Sequence, residues 1–141
     1  MNTVRPSRLL RGALMADALV SAGAAALQLL PAGAFAELTG LPRTLLAATG
    51  AFLVVYVALL LVMARSARLW SPLVLLVVIG NAGWALGCAV LAIRWALPAP
   101  GTAWLLAQAV AVLAFALLQW RGLAASRAAA PRAGAVLRPP A

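Results

Sequence analysis

Four apolar runs, each bounded by arginine, proline or glycine, organise the chain. They fall at about residues 14–30, 45–64, 70–93 and 103–120. At about 1.5 Å per helical residue each is long enough for a hydrocarbon core of about 30 Å, the first and last with least to spare. The connections "PAGAFAELTGLPRT", "RSAR" and "RWALPAPG" are short and rich in helix-stopping residues. The pattern predicts an all-α four-helix transmembrane bundle over residues 1–125, followed by a disordered Arg/Ala/Pro-rich cytoplasmic tail at 126–141. Within the first connection, Ala32 to Leu38 reads as a short interfacial helix ended by Thr39-Gly40, with Glu37 facing water. A rival reading makes residues 13–30 the core of a cleaved leader with "AGAFA" as its cleavage site. The length of the run and the acid inside it favour a span instead.

Composition agrees with the pattern. Of the 141 residues 66% are hydrophobic and 9% charged, which leaves no segment able to build a separate soluble domain. The net charge of +9 would suggest nucleic acid in a soluble protein, but here the arginines stand at span ends. Arg5, Arg8, Arg11, Arg65, Arg68, Arg121, Arg127, Arg132 and Arg138 fall on one side, Arg43 and Arg94 on the other. The positive-inside rule then predicts an N-in/C-in, multi-pass protein with both termini cytoplasmic. Trp70, Trp95, Trp104 and Trp120 bracket the last two spans, as rings that favour the headgroup layer do.

Against this background the polar residues inside the spans stand out. Asp17 is one of two acids in the chain, and a carboxylate at the bilayer centre costs about 2.5–3.5 kcal/mol on insertion scales. Asp17, Ser21, Ala24 and Gln28 share one helix face, which predicts that this face turns toward protein. Counting depth along the helices predicts an inner polar layer of Asp17, Tyr56 and Asn81 and an outer one of Gln28, Thr49 and Gln108. Trp84 lies in mid-membrane, away from the aromatic belts. Three roles for Asp17 follow: a register-fixing hydrogen-bond acceptor from Tyr56 or Asn81, or partner of Arg11 or Arg65; a proton, cation or substrate site lined by Tyr56, Asn81 and Trp84; or a contact for a partner subunit. Gly80, Gly83 and Gly87 share another face, spaced for close helix packing within the chain or with a neighbour.

Catalysis finds no support in the residue set. Histidine is absent, Cys88 is the lone cysteine and Asp17 is the single acid within a span. There is thus no acid–base pair, no nucleophile beside a base and no metal-ligand set, and haem ligation would rest on Met15 or Met63 alone. The glycine-rich "GNAGWALG" lacks the lysine of a phosphate-binding loop. No enzyme activity, cofactor or metal is expected.

In layout, and through the segments "LLRGALMADALVSAG", "LTGLP" and "NAGWALG", the chain resembles small four-span integral membrane proteins of unknown function found in bacteria. That resemblance implies a bacterial inner-membrane location and no particular activity. In topology the chain is also similar to small multidrug resistance transporters, which carry an acid in the first span and an important tryptophan in the third. Asp17 and Trp84 stand at those places, although that family uses a glutamate and its surrounding motifs are missing. The glycine and arginine signatures of fluoride channels of similar size are missing too. The expected function is a non-catalytic accessory or scaffold subunit, embedded in the lipid bilayer as a homo-oligomer or beside other membrane subunits. The alternative is a small oligomeric transporter or channel with Asp17 as its proton- or cation-coupling site.

Overall fold

A computed structural model describes residues 2–129. In chain order the elements are β1 (Thr3–Val4), α1 (Arg8–Leu29), α2 (Ala32–Thr39), α3 (Arg43–Arg65), β2 (Leu69–Trp70), α4 (Ser71–Arg94) and α5 (Ala99–Ala128). The fold is all-α, and α1, α3, α4 and α5 are long and apolar enough to cross a membrane.

Local sequence sets the helix ends. Prolines stand at the starts of four helices: Pro31, Pro42 and Pro98 at the caps of α2, α3 and α5, and Pro72 in the first turn of α4. There the missing N–H costs no intrahelical bond. α2 ends where expected, at Gly40, whose φ of 70° is the left-handed conformation that glycine adopts without a Cβ penalty.

α1 is the hub. It packs along α3 on one side and along α5 on the other, α4 packs along α5, and α3 and α4 meet far less closely. The apolar core divides into two clusters. One gathers Leu10, Leu14, Leu60, Met63, Val74 and Leu123 near the chain termini. The other gathers Leu41, Leu46, Ala85, Cys88, Leu105 and Ala109 at the opposite end, where Phe35 of α2 meets Trp104 edge-on at 5.0 Å.

Two features depart from the sequence reading. The fourth span does not stop at Trp120, since α5 runs 30 residues, about 45 Å, and so outreaches a hydrocarbon core. Its extra turns pack on the start of α1, where Gly122 admits close approach: a Cβ there would stand 2.7 Å from Leu10 Cα. Residues 126–129 of the expected tail therefore belong to the bundle, and the remainder, 130–141, lies outside the described residues. Second, the N-terminal segment forms a two-residue antiparallel ladder, Thr3 opposite Trp70 and Val4 opposite Leu69, continued by the Ser71 amide donating to Asn2 O at 2.8 Å.

These contacts draw one end of the molecule together. Ser7 caps α1 by accepting from Leu10 N at 3.2 Å, donates its hydroxyl to Gly122 O at 3.0 Å, and gives its own amide to Ser126 Oγ at 2.9 Å. Arg11 donates to Ser66 O at 3.2 Å. Arg5, Arg8, Arg11, Arg65, Arg68, Arg121 and Arg127 thus belong to one end and Arg43 and Arg94 to the other, while Arg132 and Arg138 lie outside the described residues. Glu37 is exposed and sits 3.6 Å from Arg43, a solvated ion pair that adds little stability.

Candidate functional site

The site is built around Asp17 at the junction of the two apolar clusters. Asp17 lies on the inward face of α1 and has 0% exposure. Its Oδ1 accepts from Ser21 Oγ at 3.1 Å, one turn along the same helix. Its Oδ2 accepts from Tyr56 Oη of α3 at 2.9 Å, from Asn81 Nδ2 of α4 at 2.9 Å and from Gln119 Nε2 of α5 at 2.7 Å. All four spanning helices therefore meet at one carboxyl group, with three donors gathered on Oδ2 and one on Oδ1.

The donors are themselves cross-linked. Asn81 Nδ2 also donates to Gln119 Oε1 at 3.2 Å, and Tyr56 Oη lies 3.0 Å from Asn81 Oδ1. Asn81 and Gln119 are buried to 4% and 0% exposure. Among the described residues no buried side-chain nitrogen or oxygen lacks a hydrogen-bond partner. Each group removed from such a cluster would leave others unpaired in an apolar medium, and there the loss exceeds that of one isolated bond.

The inner polar layer read from the sequence, Asp17, Tyr56 and Asn81, is thus brought together. Gln119 was missed, because ending the fourth span at Trp120 put its neighbour at the headgroups. The continuation of α5 to Ala128 moves it inside. Its signal was a second uncharged amide next to a long Ala/Leu run, readable only once the helix end was known. Arg11 and Arg65 do not pair with Asp17: Arg11 turns to Ser66 O, and the one ion pair among the described residues is Arg43–Glu37.

The outer layer divides. Thr49 Oγ1 donates to Gln28 Oε1, and it also reaches Leu45 O at 2.8 Å. Gln108 joins neither. Its Oε1 accepts instead from Trp84 Nε1 at 3.3 Å. Trp84 is therefore outside the Asp17 cluster, bound to α5 and stacked on Phe52 of α3 with ring centroids 5.8 Å apart and planes at 13°.

Two cavities flank the Trp84–Gln108 pair. One of about 100 Å³ is bounded by Ser21, Phe52, Tyr56, Asn81, Trp84 and Phe115. The other, of about 190 Å³, is bounded by Gln28, Thr49, Cys88, Trp104 and Leu105 among others. Asp17 lines neither. Gly80, Gly83 and Gly87 are exposed, and a Cβ added at any of them meets nothing within 4 Å. The expectation that another helix of the same chain packs on this strip is corrected: α4 turns Asn81, Ala85 and Cys88 inward, and the glycines fall beyond that face.

Cys88 is buried and free. Among the described residues no three of His, Cys, Asp and Glu come together. Compared with protein-family models, with curated proteins and with solved structures, the chain matches none of them.

Proposed function

We propose that this chain is a non-catalytic integral membrane protein that serves as an accessory or scaffold subunit of a bacterial inner-membrane assembly, with its arginine-rich end and both termini in the cytoplasm. The observation that carries the reading is the state of Asp17. It is wholly buried, engaged by four donors from its own chain, and absent from the wall of either cavity. A carboxyl group so enclosed ties four helices into one rigid module. A carrier would instead need it to meet water and release its partners in turn. The open glycine strip on α4 supplies a surface for a second copy or another membrane subunit, because a helix lying on Gly80, Gly83 and Gly87 could approach to backbone contact.

Two measurements on the full chain in lipid nanodiscs and liposomes test this. Gly83→Cys in a Cys88→Ala background should form a disulfide between copies or capture a neighbouring membrane subunit, and Gly83→Leu should abolish that association. A protein that is monomeric in both forms contradicts the scaffold role.

The alternative, a small transporter or channel, is favoured by one observation: Ser21, Tyr56 and Asn81 form both the shell of Asp17 and part of a cavity wall. Proton flux into liposomes reported by a pH-sensitive dye, abolished by Asp17→Asn, would establish that reading in place of the first.

A further inference from the structure

The cavity beside Trp84 has the features of a ligand site in its own right, under either reading of Asp17. Its walls are aromatic: Trp84, Phe52 and Tyr56 form a ladder of nearly parallel rings, with Phe52 and Tyr56 at 6.2 Å and 10°, and Phe115 also lines the cavity. Offset stacking of a flat ring extends such a ladder. Its volume of about 100 Å³ is smaller than the roughly 150 Å³ of an enclosed apolar cavity that holds benzene, but it is open on one side, so a flat ring enters edge-first with the rest of the molecule in the opening.

The polar groups narrow the chemistry. Ser21, Tyr56 and Asn81 direct their hydrogens to groups of their own cluster. Gln108 differs, since its Oε1 is held by Trp84 and its Nε2 donates to no acceptor among the described residues. The one unengaged side-chain donor of the wall among the described residues is therefore a neutral N–H. Asp17 is shielded behind its donors, so the cavity offers no charge to attract a cation.

The route in is lateral. α3 and α4 are the adjacent spanning helices that meet least, and Phe52, which bridges to Trp84 across that gap, is 56% exposed. We infer that this cavity binds a lipid-soluble, uncharged molecule with one six-membered ring bearing a hydrogen-bond acceptor. The ring stacks on the Trp84–Phe52 ladder, the acceptor takes the Gln108 N–H, and an apolar tail leaves between α3 and α4 into the bilayer.

The test titrates tryptophan fluorescence of the full chain in nanodiscs with 4-hexylacetophenone, which has the ring, the carbonyl and the tail, and with hexylbenzene, which lacks the carbonyl. The expected result is saturable quenching by the ketone that disappears in Trp84→Phe. Gln108→Leu should raise the half-saturating ketone concentration about three- to tenfold, the worth of one neutral hydrogen bond, and leave hexylbenzene unchanged. Gln108→Met, closer in shape, should do the same if the leucine variant misfolds by circular dichroism. Quenching that rises linearly without saturation, or that persists in Trp84→Phe, overturns the site. Equal binding of the two probes, indifferent to Gln108, overturns the acceptor chemistry and identifies a slot for acyl chains.

Discussion

Gln119 Nε2 donates to Asp17 Oδ2 across 2.7 Å, joining the last spanning helix to the first over 102 positions of sequence. Interhelical hydrogen bonds inside membranes average about 0.6 kcal/mol and reach about 1.7. This one belongs at the upper end, because removing Gln119 also takes the Oε1 acceptor from Asn81. Gln119→Leu is therefore predicted to lower stability by about 1–2 kcal/mol in detergent unfolding followed by circular dichroism.

Thr49→Val provides the contrast. Thr49 is half-buried, and its hydroxyl is shared between Gln28 and the carbonyls of its own helix. Losing it should cost less than about 0.6 kcal/mol in the same assay.

Two glycines on different helices should respond oppositely to one substitution. Gly122→Leu forces a side chain into the α1 backbone at Leu10, which has nowhere to move, and a loss of about 1–3 kcal/mol or outright misfolding is expected. Gly83→Leu enters open space and replaces a poor helix former by a good one, so the isolated chain should keep or slightly gain stability. Thermal unfolding of both variants in the same detergent checks the pair.

Ser7 joins the start of α1 to the end of α5 through its amide and hydroxyl. Ser7→Ala should cost about 1 kcal/mol as a lost N-cap, while Gly122 O keeps its hydrogen bond from Ser126 Oγ at 2.7 Å. The accompanying sign is faster hydrogen exchange at Leu10, whose amide the cap holds.

The Ser71 amide reports separately on the N-terminal ladder. Its exchange should be slow in the intact chain, where it donates to Asn2 O, and should become fast when residues 1–4 are removed.

Much of this architecture was legible along the chain, because a run of apolar residues broken by arginine and proline leaves a helix across lipid few alternatives. The depth of each polar residue follows from helical rise alone, which is why Asp17, Tyr56 and Asn81 could be placed in one layer. Helix rotation does not follow from rise. Gln108 lies at the depth of Gln28 and Thr49 yet turns to Trp84, and the glycine strip of α4 faces outward, both because α4 presents Asn81, Ala85 and Cys88 to the core. The end of α5 was hidden for another reason. Trp120 and Arg121 look like a membrane border, whereas packing of Gly122, Leu123 and Ser126 on α1 carries the helix beyond it. A two-residue strand such as Thr3–Val4 has no periodicity to read.

If Asp17 locks the four helices together, a double-mutant cycle between Asp17→Leu and Gln119→Leu will expose the lock. Each single variant should lose stability, and the double variant should lose clearly less than the two losses combined, with a coupling of about 1–2 kcal/mol. An Asp17→Leu protein as stable as the wild type, or losses that add without coupling, would contradict it.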